Sequence, residues 1–129
     1  MLSLPNHFNV TLFSSSSRKI YRKNKLSAFT VKLARRIDLG SSENWEVGTC
    51  ELSCPPPNLG TIRPLHVVGE TNVFIYCNLI SPQFVGDNIA RCLRTFIFPS
   101  IHCQRTFREV YVPVEQRNFQ DIRVEFLTL

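Results

Sequence analysis

The chain has 129 residues, of which 43 % are hydrophobic, so it can bury one core and is expected to form a single domain over residues 1 to 129, with residues 1 to 7 as an N-terminal lead. Ten phenylalanines, one methionine and no sustained apolar stripe at helical spacing argue against a helical fold and predict an all-β one. The net charge of +5 favours acidic partners, while the absence of a secretory start and of an apolar run near roughly 20 residues predicts an intracellular, non-secreted protein.

The first predicted strand covers residues 8 to 13, because Phe8, Val10 and Leu12 alternate with polar residues. Four serines follow it and indicate a loop. Residues 18 to 36 then hold eight of the fifteen basic residues and no acidic residue, and we call this stretch the basic segment. A second predicted strand lies inside it at residues 29 to 33 and continues through residues 37 to 39.

The only tryptophan opens residues 45 to 54, the stretch around which the fold is predicted to be organised. Large and polar side chains alternate there until three prolines stop the pattern, which predicts a central strand. One face carries Trp45 and Val47, and the other offers Cys50 to an apolar layer. Cys50 and Cys54 would lie roughly 13 Å apart on such a strand, too far for a disulfide, so the cysteines are interpreted as buried hydrophobes in a reducing compartment.

The second half of the chain contains a long connection at residues 58 to 72, with a short strand at 65 to 68, and four further predicted strands. Residues 73 to 80 are almost continuously apolar, which predicts a strand covered on both faces. The other strands are predicted at residues 93 to 98, 107 to 112 and 122 to 129. The last of these alternates up to the final residue, a pattern that suggests a domain truncated at its C-terminus.

About seven short strands and one long connection favour Greek-key wiring, and hence a single jelly-roll antiparallel β-sandwich that lacks its last strand. An immunoglobulin-like sandwich would require a cysteine-tryptophan-cysteine pattern that the chain does not have. Large alternating side chains are predicted to form the core: Phe29, Val31, Leu33, Trp45, Val47, Phe74, Tyr76, Leu79, Val124 and Phe126.

No motif for catalysis or for cofactor binding appears in the sequence. Nucleophile-elbow, phosphate-loop and His-Glu-x-x-His patterns are missing, and three scattered histidines do not indicate a site. Cys50, Cys54 and the neighbouring pair His102 and Cys103 lack zinc-ligand spacing, since a strand separates residues 50 and 54 too widely to share one ion. We therefore expect no enzyme activity, no catalytic residue, no cofactor and no metal site.

The basic segment admits three interpretations. Clustered lysine and arginine release counterions from a phosphate backbone, which would support nucleic-acid binding. Charge runs on the rim of a β domain more often form a solvated face or contact an acidic partner. Lysines on an edge strand also prevent stray strand pairing without any further function.

Several stretches, taken in order, resemble one known family. They are residues 8 to 15, Tyr21 and Asn24, residues 28 to 33, 37 to 39, 45 to 48 with Glu51 and the proline run, 77 to 87, 111 to 114 and 121 to 125. Together they resemble the penton (minor capsid) proteins of Polinton/Maverick elements and adintoviruses, and the likeness covers residues 8 to 129. Members of this family continue beyond the position of Leu129 with a glycine turn and a last strand, so the chain resembles a C-terminally truncated, decayed or host-integrated copy.

The resemblance implies a non-catalytic single jelly roll that forms a pentamer at capsid vertices. Its partners would be copies of itself and the major capsid protein, with no membrane, and its location would be the virion. Contacts in a closed ring would pair cations of one copy with acids of the next. The candidate interface residues are Arg18, Lys19, Arg22, Lys23, Lys25, Glu43, Glu46 and Glu51.

Two alternatives remain open from the sequence. In the first, the chain is a domesticated intracellular binding module that recognises a protein, a sugar or nucleic acid, with the basic segment 18 to 36 as its contact for protein or nucleic acid. In the second, the chain is a cupin-like metal enzyme, which would need clustered histidines on inward strand positions that this sequence does not provide.

Overall fold

The structure, a computed structural model, describes residues 7–25, 27–53, 71–98, 104–106 and 110–128. All regular secondary structure in these residues is β, which confirms the predicted class, and no helix among them could cross a membrane. The described strands are β1 (Ala28–Asp38), β2 (Glu46–Gly48), β3 (Glu51–Ser53), β4 (Thr71–Cys77), β5 (Gln83–Val85), β6 (Asn88–Ala90), β7 (Cys92–Phe98), β8 (Gln104–Thr106), β9 (Tyr111–Pro113) and β10 (Asn118–Thr128).

Four of these strands form an antiparallel sheet in the order β1-β10-β4-β7. β1 and β10 are 11 residues long and place Phe29 opposite Val124 and Val31 opposite Ile122. The register shifts between Lys32 and Ile37, where β1 is irregular. In β1 and β10 the predicted alternation is long enough to fix which side chains face the core, and the observed burial of Phe29, Val31 and Val124 follows it.

The remaining strands form three antiparallel pairs: β2 with β9, β3 with β8, and β5 with β6. The predicted central strand over residues 45 to 54 is therefore wrong, since β2 and β3 pair with different strands and neither joins the four-stranded sheet. Cys50, which follows β2, is exposed, whereas the sequence placed it in an apolar layer. Alternation specifies the direction of side chains but not the identity of the neighbouring strand.

The predicted strand at residues 8 to 13 is also wrong, because this stretch joins no strand ladder in the described chain. Its alternation still has a structural meaning. The Phe8 ring meets the Trp45 ring edge-on at 5.7 Å, and Leu12 is packed against the core, while Val10 and Phe13 are exposed. Apolar contacts thus attach the stretch to the core, without a strand ladder to any described strand.

One apolar cluster forms the core, between the four-stranded sheet and the β2–β9 pair. Of the predicted core residues, Phe29, Val31, Leu79 and Val124 are buried in it. Four others are partly buried and packed against it: Leu33, Trp45, Val47 and Phe126. The arrangement is compatible with a β-sandwich.

Phe74 and Tyr76 do not belong to this core, contrary to the sequence prediction. On β4 the alternate residues Val73, Ile75 and Cys77 are buried, while Phe74 and Tyr76 point to the opposite face and are half-buried. A strand that is nearly all apolar was expected to be covered on both faces, but only one face of β4 meets the core. We call the other face, which carries Phe74 and Tyr76, the outer face of the sheet.

The four-stranded sheet and the β2–β9 pair are connected near residues 79 to 81. Ile80 forms a β-bridge with Val114, directly after β9, and is fully buried. The N–H of Val114 donates to the carbonyl of Trp45 at 2.9 Å, and the N–H of Glu115 donates to the carbonyl of Leu79 at 2.8 Å. The chain leaving β4 is thereby connected to the β2–β9 pair.

Several predictions lie outside the described residues. They are the short strand at 65 to 68, the first half of the strand at 107 to 112, and the positions of Cys54, His66, His102 and Cys103.

Candidate interaction surface

The outer edge of β1 is covered by the turn that precedes it, residues 17 to 25, which we call the basic turn. β1 is the first strand of its sheet, so its outward backbone groups have no strand partner there. The hydroxyl of Ser17 accepts the Lys32 N–H at 3.0 Å. The side-chain amide of Asn24 donates to the Thr30 carbonyl at 2.8 Å and accepts the Thr30 N–H at 2.9 Å. Side chains thus take the place of a neighbouring strand.

The basic turn also reaches the second strand of the sheet. The hydroxyl of Tyr21 donates to Oδ1 of Asp121 on β10. This hydrogen bond to a carboxylate, with partial desolvation and the carboxylate's negative charge, raises the pKa of Tyr21 above its usual value of 10.0. At the end of the turn Lys25 and Ala28 exchange two backbone hydrogen bonds, of 2.9 and 3.2 Å. The turn is therefore attached to both β1 and β10.

Local sequence explains why residues 13 to 24 fold back on themselves. The N–H of Ser16 donates to the carbonyl of Phe13, the N–H of Tyr21 to that of Ser17, and the N–H of Asn24 to that of Tyr21. Serine and asparagine are favoured in such turns because their short polar side chains also bond to nearby backbone. The result is a run of turns that holds its cationic side chains outward.

All eight cations of the basic segment are exposed, and none makes an ion pair with a described residue. One of them, Arg36, donates to the side chain of Asn118 at 2.7 Å. No described acidic side chain neutralises their charges, and a polyanion or an acidic surface could reach them. The members are Arg18, Lys19, Arg22, Lys23, Lys25, Lys32, Arg35 and Arg36.

The predicted acidic partners lie near the opposite end of β1. Glu43 and Glu46 are exposed, and they follow the end of the strand, whereas the basic turn precedes its start. Arg117, which comes directly before β10, donates to the Gly40 and Glu43 carbonyls and holds this loop. An 11-residue strand is about 35 Å long, so the two charge groups do not meet within one copy. Glu51 lies in β3, and its side chain is outside the described structure.

The outer face of the sheet carries a second group of accessible aromatic and charged side chains. The rings of Phe74 and Tyr76 are stacked, with centroids 6.5 Å apart. Leu127, opposite Phe74 on β10, is 50 % exposed. Arg123 forms an ion pair of 2.7 Å with Glu125, which lies opposite Tyr76. The sequence analysis assigned Phe74 and Tyr76 to the core and therefore missed this face.

The β5–β6 hairpin presents an apolar pair to solvent. Phe84 and Ile89 lie opposite each other and are 85 % and 65 % exposed. Gly86 forms the turn with a φ of +60°, a conformation that favours glycine. The two short strands around this turn were not predicted from the sequence.

Metal and thiol chemistry have little support in the described residues, where no group of three or more His, Cys, Asp or Glu side chains is close enough to hold an ion. Burial raises the pKa of the Cys77 and Cys92 thiols, which disfavours the reactive thiolate. These two cysteines are outside any disulfide, and they behave as small apolar side chains.

Sequence reasoning identified the cations but missed the residues that position them: Ser17, Tyr21, Asn24 and Asp121. A signal was present in the basic turn, where uncharged residues with hydrogen-bonding side chains are placed between the cations.

Comparisons with known protein families, with characterised proteins and with solved structures give no match for this chain.

Proposed function

We propose that the chain is a non-catalytic structural subunit that assembles with copies of itself into a closed ring. The proposal follows the resemblance to penton proteins, which implies a single jelly roll, a pentamer at a capsid vertex and the major capsid protein as a further partner. An all-β chain with antiparallel sheets supports the first of these implications without specifying the jelly-roll connections. In this proposal the chain acts in a virion.

The observation that carries the proposal is the separation of charge along β1. The five exposed cations of the basic turn precede the strand and the exposed Glu43 and Glu46 follow it, so each copy has two complementary surfaces that cannot meet within itself. A head-to-tail contact between such surfaces closes into a ring when the rotation between copies is suitable. Charge complementarity would set the register and the rate of assembly more than its affinity.

The test reverses one side of the contact. In the triple variant Arg22→Glu, Lys23→Glu and Lys25→Glu, we expect the solution mass measured by light scattering to fall from that of a ring towards that of a monomer. Adding Glu43→Lys and Glu46→Lys should restore the ring, because the complementary charges would then be exchanged. A version extended by the family's last strand should be measured in parallel.

A matched control reverses three cations in β1 itself, Lys32, Arg35 and Arg36, and so changes the net charge equally. The proposal predicts that this control keeps the ring. A wild-type chain that is monomeric at low and at high salt, with or without the extension, would refute ring assembly. Equal loss of the ring in both triple variants would refute the specific contact.

A second candidate function is supported by the exposed cations without ion pairs. An intracellular binding module would use the basic segment to hold an acidic protein surface or a nucleic acid. A monomer whose binding to an anionic partner weakens steeply with salt would favour this function over the ring.

A further inference from the structure

On the outer face of the four-stranded sheet, aromatic and cationic side chains lie side by side. Phe74 and Tyr76 are stacked on β4, and the register places Glu125 and Leu127 of β10 opposite them. Further along β10, Arg123 faces Thr30 of β1. The face thus passes from aromatic rings on β4 to a cation on the neighbouring strand β10, about 5 Å across the sheet.

The positive end of this face is continuous with the basic turn. Lys32 lies opposite Asp121 on the outer face, and Asp121 accepts the hydrogen bond from Tyr21 of the turn. Because Tyr21 reaches the second strand of the sheet, its neighbours Arg22 and Lys23 border the same face. Lys32 and the basic turn therefore form a cationic end of this face, and the aromatic pair lies four to six residues further along β10.

The two acids on this face are already engaged. Glu125 accepts two bonds from the Arg123 guanidinium, of 2.9 Å from Nε and 2.7 Å from Nη2. Nη1 of the same group donates to the Thr30 hydroxyl at 3.2 Å, so the planar guanidinium bridges β1 and β10. Asp121 is engaged by Tyr21. The positive charge of Lys32 and the basic turn therefore outweighs the negative charge of the face.

We propose that this outer face binds a single strand of nucleic acid, with bases stacked on Phe74 and Tyr76 and phosphates placed along Lys32 and the basic turn. Exposed aromatic rings beside a cationic groove are the combination that single-strand-binding sheets use, because every base has a flat face and every linkage a charge. The activity goes beyond ring assembly and does not depend on it.

A single strand fits this face better than a duplex does. In a duplex the base faces are stacked on one another, so they cannot reach rings on a sheet unless base steps are unstacked at a cost of a few kcal/mol. Cations alone would bind duplex and single strand through the same phosphates. Preference for the single strand is therefore the signature of the aromatic pair.

The test uses the whole chain and fluorescence anisotropy with labelled oligo-dT and oligo-rU of about 12 nucleotides, a length within the usual site size, and a duplex of equal length. We expect both single strands to bind more tightly than the duplex, and the stronger of the two will identify DNA or RNA as the preferred form. Tyr76→Leu or Phe74→Leu should weaken single-strand binding about tenfold and leave duplex binding unchanged. Lys32→Gln should weaken both and reduce the salt slope for single strands by about 0.7.

Phe13→Leu is the matched control, since it removes an aromatic ring that is 61 % exposed and lies outside the four-stranded sheet. It should bind like the wild type. Photocrosslinking of 4-thiouracil oligonucleotides to the unmodified chain needs no substitution and should label β4 or β10. Solution mass is measured in parallel, because Tyr76→Leu should not change assembly.

Three results would overturn the proposal: no binding of either single strand by the wild type, equal binding of duplex and single strand, or crosslinks confined to other parts of the chain. Loss of the single-strand preference in Tyr76→Leu with unchanged assembly would separate this activity from the proposed ring, since reversing the charges of the basic turn should weaken both.

Discussion

The four-stranded sheet and the three strand pairs use similar residues but are stabilised in different ways. Most strands of the sheet have seven or 11 residues and share long ladders, whereas every strand of the three pairs has three residues. An isolated two-stranded piece is at best marginal in water. The β2–β9 pair therefore depends on Trp45, Val112 and Val114 packing against the sheet. Long strands specify their own pairing, while short ones acquire theirs from the core.

The largest expected effect comes from cutting the connection between these two regions. Ile80→Ala removes a fully buried side chain at the bridge to Val114, and we expect a loss of about 3 kcal/mol in the free energy of unfolding. Urea denaturation measures it. Ile89→Ala, on the exposed hairpin, is the control and should change stability by no more than about 0.5 kcal/mol. Equal effects would mean that the bridge does not hold the short pairs.

The second-largest effect is expected at the outer edge of β1 in the four-stranded sheet. Asn24→Ala removes two hydrogen bonds to Thr30 and should cost about 2 kcal/mol, because the Thr30 backbone groups lose their partner. Asn24→Asp keeps an acceptor but loses the donor, so it should fall between wild type and Asn24→Ala. Hydrogen exchange at the Thr30 amide would be faster in Asn24→Ala, and an unchanged rate would contradict the assigned contact.

Within the β2–β9 pair, Gly48→Ala should cost about 1 kcal/mol. A Cβ at this position would lie 3.0 Å from Cδ1 of the Tyr111 ring and 3.2 Å from the Val110 carbonyl, so the ring must shift. Gly40→Ala has open space but a φ of +72°, so its cost would come from backbone strain alone. Chemical shifts of the Tyr111 ring should move in Gly48→Ala and not in Gly40→Ala.

The smallest effect concerns pH. The folded pKa of Tyr21 is raised, so the stability from its bond to Asp121 is fully present below the usual tyrosine value of 10.0 and is lost as pH rises above it. Wild type should therefore be more stable than Tyr21→Phe at about pH 8, and the difference should shrink towards pH 11. Urea unfolding at both pH values checks this, and a constant difference would show that the bond does not titrate.

The four-stranded sheet could largely be predicted from the sequence, whereas the three strand pairs could not. Strands close to β1 and β10 were expected because their alternation extends over several residue pairs, and a strand close to β4 was expected because its residues are almost continuously apolar. The division of residues 45 to 54 into β2 and β3 could not be predicted, since three residues carry too little pattern to define a partner. The face of Phe74 and Tyr76 was misassigned because an all-apolar strand does not indicate which side is covered.

The charge of the candidate surface could be predicted from the sequence, but the side chains that hold the basic turn against β1 could not. A run of eight cations without an acid is visible in the sequence, and its exposure follows from the cost of burying charge. The roles of Ser17 and Asn24 depend on the direction in which the β1 backbone groups point. That direction is fixed only when β10 takes the other edge, and β10 comes from the far end of the chain.

This topology has a consequence for synthesis on the ribosome. β1 ends at Asp38 and its strand partner β10 begins at Asn118, so at ~5–20 residues per second that edge of β1 waits roughly 4 to 16 s for its partner. Asn24 is only six residues from Thr30, and Ser17 only 15 from Lys32, so the opposite edge is covered almost as soon as it emerges. While the rest of the chain is synthesised, nascent β1 therefore exposes one unpaired edge of backbone N–H and C=O groups instead of two.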